Sequence, residues 1–96
     1  MENSLDDIFL YRKHFVQGVV DIILLSEAVE FLSGLLDKEI LADPGQDYIR
    51  LYYEENNEKM CYCFLDYEGN MYSPASWDNP TELFVGNIIW HIKNMK

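Results

Sequence analysis

Positive charge is scarce in this chain. Seven Lys and Arg stand against seventeen Asp and Glu over 96 residues, a formal net charge of −10. Nucleic acid is bound through a positive footprint, so direct binding to it is not expected, and an anionic membrane surface is disfavoured for the same reason. Cysteine is limited to Cys61 and Cys63. They lie two apart on an expected strand, a spacing poorly suited to a mutual disulfide, and a reducing cytosol is the expected compartment.

Long apolar runs are missing as well. The longest is broken at Asp21, and the stretch 22–25 is far too short to cross a bilayer. The opening Met1-Glu2-Asn3-Ser4-Leu5-Asp6-Asp7 is acidic where a secretory leader is basic, so no leader is expected. Asn79-Pro80-Thr81 is blocked as a glycosylation acceptor by its proline.

Motifs that carry chemistry are equally sparse. There is no Gly-x-Ser-x-Gly elbow and no glycine loop suited to cradling phosphate. His14 and His91 are widely separated; Cys61-x-Cys63 with one of them makes three zinc ligands on paper. Alternate positions of a half-buried strand account for the cysteines more simply, as small hydrophobes. A Cys–His nucleophile pair has nothing that places its members within reach. Asp66-x-Glu68-Gly69-Asn70 has the wrong spacing for a calcium loop and lacks its terminal bidentate Glu. No catalytic residue, metal or cofactor is therefore expected, and the chain reads as a non-enzyme.

What is present is apolar patterning. Half the residues are apolar and seven are Tyr, enough for one modest core and a single domain spanning 1–96. Ser4 with Asp6 and Asp7 reads as a helix start, and Leu5, Ile8, Phe9, Arg12, Phe15 and Val16 follow at helical spacing until Gly18. Residues 19–25 fit either a strand or a buried helical stretch. Ser26 reads as a second cap, before a helix over 27–38 with Val29, Leu32, Leu35 and Leu36 on one side.

Asp43-Pro44-Gly45 is a turn signal. Beyond it the period changes to two, predicting strands over 48–54 and 59–67 joined by a two-residue turn at Asn56-Asn57. Opposing Glu55 to Glu58 pairs Tyr53 with Met60, Leu51 with Tyr62 and Ile49 with Phe64 on an apolar face. The other face then carries Tyr48, Arg50, Tyr52, Cys61, Cys63 and Leu65, with Glu54 opposite Lys59. A turn at Gly69-Asn70 brings Met71 and Tyr72 back beside Tyr67 and Glu68, and Pro74 stops the pairing. Asn79-Pro80-Thr81-Glu82 has a cap, a proline at the first helical position and Glu three residues on, predicting a helix over 80–95. The expected architecture is α+β: two N-terminal helices, a central antiparallel hairpin or three-stranded meander, and a C-terminal helix packed on one sheet face.

Surplus charge of one sign costs a small domain stability through self-repulsion, which points to a partner that neutralises it. The candidate partner-binding residues are the carboxylates at the two ends of the hairpin, Asp47, Glu54, Glu55, Glu58, Asp66 and Glu68, with Tyr48, Tyr52 and Tyr67 as anchors. Like charges opposed across strands, Glu55 to Glu58 and Asp47 to Asp66, are unfavourable alone and suit Lys and Arg of another protein. Trp77, in the 73–78 loop, reads as a lid over the core or, alternatively, as an exposed anchor. The expected function is an acidic inhibitor of the bacterial immunity or antitoxin kind, which neutralises a basic protein partner, a nuclease-like toxin or a nucleic-acid-binding enzyme, by occluding its cationic groove. The alternative is a non-catalytic adaptor, as a homodimer through the C-terminal helix or the sheet edge after Tyr72, or as a subunit of a cytosolic assembly.

Overall fold

The computed structural model describes residues 5–13 and 20–94. After a 3-10 turn at Leu5–Asp7 come strands β1 (Phe9–Lys13) and β2 (Val20–Leu24) and helix α1 (Leu25–Leu36). Strands β3 (Leu41–Pro44), β4 (Ile49–Glu55), β5 (Glu58–Leu65), β6 (Asn70–Pro74) and β7 (Pro80–Asn87) follow, and α2 (Ile88–Asn94) closes the series. The strands form two antiparallel sheets: a β1-β2 hairpin, and a five-stranded meander in the order β3-β4-β5-β6-β7. The α+β class stands. The expected arrangement of two N-terminal helices with two or three strands does not.

The first expected helix is a strand. Leu10 and Ile23 point into the core while Phe9, Tyr11, Val20 and Ile22 face out, the alternation of a half-covered hairpin. The helical spacing of Leu5, Ile8, Phe9 and Arg12 is outweighed by this pairing, because β2 supplies the β-branched partners Val20, Ile22 and Ile23. Residues 20–24, which suited strand or helix, take the strand. The expected cap Ser4 and residues 15–18 lie outside the described residues.

Helix α1 starts one residue before Ser26. The Leu24 amide donates to the Glu27 carboxylate at 3.2 Å, so the reach-back from Glu27 satisfies an early donor without Ser26. Asp37 ends the helix in the left-handed conformation, with φ 54°. Beyond it the Ile40 amide donates to Ser33 Oγ at 3.0 Å, which aims the chain into β3.

The β4–β5 hairpin turns at Asn56 and Asn57, both at positive φ, as the two-residue loop requires. Glu55 opposes Glu58, Glu54 opposes Lys59 and Tyr53 opposes Met60. The register then shifts: Tyr52 pairs with Cys61, but Leu51 pairs with Cys63 and Ile49 with Leu65. Tyr62 is the extra residue of this bulge. Below it every β5 side chain is on the opposite face from that expected. Cys63 and Leu65 go into the core and Phe64 comes to the outer face.

The meander is longer than expected because the C-terminal helix begins late. Residues 80–87, read as helical, form edge strand β7 against β6. Pro80 suits the first residue of an edge strand as well as the first turn of a helix. The true cap is Asn87, whose Oδ1 accepts from the Ile89 amide at 2.9 Å and the Trp90 amide at 3.1 Å. Its Nδ2 donates to Glu68 O at 2.9 Å and Asn70 Oδ1 at 2.7 Å, so this buried amide is fully used in fixing the corner from β7 into α2. Gly69, at φ 81°, makes room there: a Cβ would stand 2.8 Å from Ile89 Cγ1.

One face of the large sheet builds the core. Ile49, Leu51, Cys63, Leu65 and Met71 meet Leu25, Ala28 and Leu32 of α1, Ile88, Ile89 and Ile92 of α2, and Leu10 and Ile23 of the hairpin. Each fully buried Leu or Ile contributes about 1.5–3 kcal/mol. The hairpin is tied in by the Tyr11 amide donating to Tyr67 O at 3.0 Å and the Leu25 amide donating to Ile8 O at 2.8 Å. Both helices lie on this inner side, so neither covers the opposite sheet face.

Candidate functional site

Alternation along β4, with the β5 bulge, sets the outer face of the sheet. Tyr48, Arg50 and Tyr52 project from β4 and its approach, Cys61 and Phe64 from β5, Tyr72 from β6 and Phe84 from β7, following the cross-strand pairs Tyr52–Cys61, Arg50–Phe64, Phe64–Tyr72 and Tyr72–Phe84. The rings meet edge to face. Tyr48 lies 6.4 Å from Phe64 and 5.4 Å from Tyr72, Tyr72 lies 5.9 Å from Phe84, and Tyr52 lies 5.4 Å from Trp77. Such contacts hold ring orientations and contribute about 0.5–1.5 kcal/mol per pair beyond area. The result is a continuous aromatic row running across the sheet.

Arg50 stands in the middle of it. Its Nε donates to Trp77 O at 2.8 Å, one Nη to the Asp43 carboxylate and the other to Asp78 Oδ1 at 3.0 Å. The guanidinium carbon is 4.3 Å from the Trp77 ring centroid and 5.8 Å from that of Phe64. Trp77 is thus not a lid over the core. The loop 75–79 folds back on the outer face, and Arg50 holds Trp77 there. Beside Arg50 is an open pocket of about 270 Å³, lined among others by Asp43, Asp47, Tyr48, Phe64, Asp78 and Pro80.

The carboxylates fall into three settings. Asp43, Asp47 and Asp78 surround that pocket, with Asp47 exposed. Glu54, Glu55 and Glu58 form the exposed tip of the β4–β5 hairpin, where Lys38 reaches Glu55 at 3.1 Å and Lys59 lies 5.5 Å over the Tyr52 ring. Asp66 is a structural residue: it accepts from the Glu68 and Asn70 amides, from Asn70 Nδ2 and from Tyr72 Oη, all at 2.9 Å. Asp47 and Asp66 do not oppose each other, because the paired register ends at Ile49 and Leu65.

Of the residues singled out by sequence, Tyr48, Tyr52 and Asp47 come together on or beside the outer face, with Glu54 at the tip end of β4. Tyr67 goes elsewhere: it is partly buried against the core, and its hydroxyl donates to Gly45 O. Glu68 is exposed at the turn into β6, where its carbonyl accepts from Asn87. Tyr72, Phe84 and Asp78 carry no site expectation from the sequence, and Trp77 lies on the outer face, as the anchor reading has it, and not over the core. The alternation of 70–74 carried a signal for Tyr72, whereas Phe84 was hidden by the helical reading of 80–95.

The chemistry of the face is that of contact. Tyr72 has its phenol pushed up to about 12, first by its hydrogen bond to Asp66 and then by burial and nearby negative charge. Burial pushes the Cys63 thiol up to about 12, and Cys61 is raised for the same reason, partly offset by Arg50. The bulge puts the two cysteines on opposite sheet faces. Among the described residues no three His, Cys, Asp or Glu side chains are gathered as a metal site, and no helix is long and apolar enough to cross a membrane.

No known protein family, curated protein or solved structure matches this chain. The functional reading therefore rests on the face itself.

Proposed function

We propose that this chain is a non-catalytic, acidic protein-binding domain that acts as an inhibitor of the immunity or antitoxin kind. It docks the outer sheet face on a basic protein and covers the cationic groove where that protein holds nucleic acid. The observation that carries this reading is the aromatic row on the outer face, exposed at Tyr48 and Phe84 and covered at Phe64, with the exposed carboxylates Asp43, Asp47 and Asp78 beside it and Glu54 and Glu58 at the hairpin tip. Tyr48 and Phe84 are 38% and 52% exposed on a face that bears neither helix. Rigid aromatic rings provide contact area at little entropic cost, and carboxylates around them steer a basic partner and fix its orientation.

Two features support the choice of a basic partner. The net charge of −10 gives a long-range attraction for it. The pocket beside Arg50 has Asp47 exposed and Asp43 and Asp78 only single-sidedly engaged, next to the Tyr48 ring, which suits a Lys or Arg side chain of the partner.

The test is capture and inhibition. A basic nuclease retained by the wild-type chain should be released as salt rises. The double variant Tyr48→Ala with Tyr52→Ala, and the quadruple variant Asp47→Asn, Glu54→Gln, Glu55→Gln, Glu58→Gln, should each lose binding and inhibition while remaining folded by circular dichroism. Undiminished affinity in both folded variants would sink the proposal.

A further inference from the structure

A second surface has the opposite character. Strand β7 is an end of the sheet order, so one of its edges has no strand beside it among the described residues. Leu83, Phe84 and Val85 on it are all more than half exposed, and Leu83, at 69%, is the most exposed large apolar side chain described. Next to the strand is an apolar groove of about 200 Å³ between sheet and helices, lined among others by Phe31, Leu35, Tyr62, Val85, Ile88 and His91. Drug-sized ligands take pockets of about 300–1,000 Å³; this groove has room for a single large side chain. Exposed apolar surface of this kind on a small domain marks an interaction site.

Charge decides what covers it. Residues 83–94 contain no Asp or Glu in a chain that has seventeen, and Lys93 is their only Lys or Arg. A basic partner gains nothing electrostatically from this surface. Another copy of the chain does: two molecules at −10 each approach most easily where few carboxylates meet, and residues 83–94 offer such a surface, with Glu82 at its rim.

The strand is also self-complementary. The register of β7 on β6 shifts on both sides of Phe84, with Val85 the extra residue between Phe84 and Gly86, so β7 bulges instead of offering a flat edge. A two-fold axis at Phe84 sets this ring against its counterpart and brings Leu83 of each copy towards Val85 of the other. Val85 lines the groove, so Leu83 of the other copy comes to the groove's mouth. A two-fold contact forms the Leu83–Val85 approach twice and the Phe84 pair once, on the axis.

We infer that two copies of this chain associate through β7 and the adjoining groove, as a two-fold dimer in which Leu83 of each covers the groove of the other. The outer aromatic faces then continue across the dyad through Phe84. The rival surface, the outward side of the β1-β2 hairpin with Phe9, Tyr11, Val20 and Ile22, is also apolar, with Lys13 on the same side, level with Val20; a variant at Ile22 separates the two.

Sedimentation equilibrium of the full chain over a wide concentration series tests this. The wild type should dimerise, and the dimer should tighten as salt rises, because screening weakens repulsion between like net charges. Leu83→Lys and, independently, Leu35→Lys should each weaken the dimer roughly tenfold or more. Both positions are exposed, so circular dichroism and the unfolding midpoint should stay at wild-type values, and Ile22→Lys should leave the dimer intact. A chain that is monomeric at every concentration overturns the inference. So does a dimer lost in Ile22→Lys but kept in both other variants, or a dimer that salt dissociates. Binding of a basic partner weakens with salt, so failure of this dimer and failure of the proposed inhibitor role are read separately.

Discussion

Tyr72 donates its phenolic hydrogen bond to Asp66 Oδ2 at 2.9 Å, while Asp66 Oδ1 accepts the amides of Glu68 and Asn70 at the same distance. One carboxylate thus ties the β5–β6 turn to the aromatic face. That makes Asp66 a residue of the fold, although by charge alone it resembles its acidic neighbours.

Replacing Asp66 by Ala is expected to cost about 2–4 kcal/mol, because hydrogen bonds to a charged group are among the stronger ones and several donors lose their acceptor together. Asp47→Ala, at an exposed site, should change stability by no more than about 0.5 kcal/mol. Urea unfolding of the two variants checks this. Equal effects would show that the turn is held by other means.

The same bond gives an alkaline signature. The Tyr72 phenol is raised from 10.0 to about 12 in the fold. A raised value means that the fold favours the protonated phenol. Its contribution is complete below about pH 10 and is lost as pH rises through about 12. The stability difference between wild type and Tyr72→Phe should therefore shrink across that window. Tyr62 and Tyr67 are raised too, by burial first, but both proteins share them and the difference isolates Tyr72. A difference that stays constant to the top of the range would contradict the bond.

Arg50→Ala should release Trp77. The exposed Asp43 and Asp78 contribute little as ion pairs. The loss comes from the bond to Trp77 O and from the ring contact, about 1–2 kcal/mol in all. In a Trp90→Phe background, which leaves Trp77 as the only Trp, its fluorescence emission should move to the red. Unchanged emission would mean that the loop holds Trp77 without Arg50.

The two thiols should separate under a thiol reagent. Cys63 is 4% exposed with its thiol pushed up to about 12, whereas Cys61 is only partly covered. Under native conditions the reagent should modify Cys61 slowly, and Cys61→Ser should abolish native labelling until the chain unfolds. Native labelling of Cys63 at a comparable rate would place it on the outer face, and the bulge at Tyr62 would then be wrong.

Much of the hairpin was legible from local pattern. Asn56-Asn57 tolerates positive φ, and Glu54 beside Lys59 sets the tip, so the first pairs follow from the residues themselves. The bulge was not legible. Tyr62 reads as well on the apolar face as Phe64 does, and one extra residue reverses every position below it. The candidate site was half visible for the same reason: Tyr48, Arg50 and Tyr52 precede the irregularity on their own strand, whereas Phe64 lies beyond it and Phe84 lies on a segment whose helix signals were strong.

Taken alone, the amino-acid order settled the surplus of carboxylates, the body of helix α1, the turn at 56–57 and the alternation of β4, because each depends on neighbours close along the chain. Only the tertiary structure decided that 9–13 and 80–87 are strands, that Cys63 and Leu65 point inward, and that Asp66 serves the turn. Those segments have apolar residues compatible with either period. The free energy that chooses between them comes from hydrogen-bonding partners distant in sequence, β2 for the first and β6 for the second.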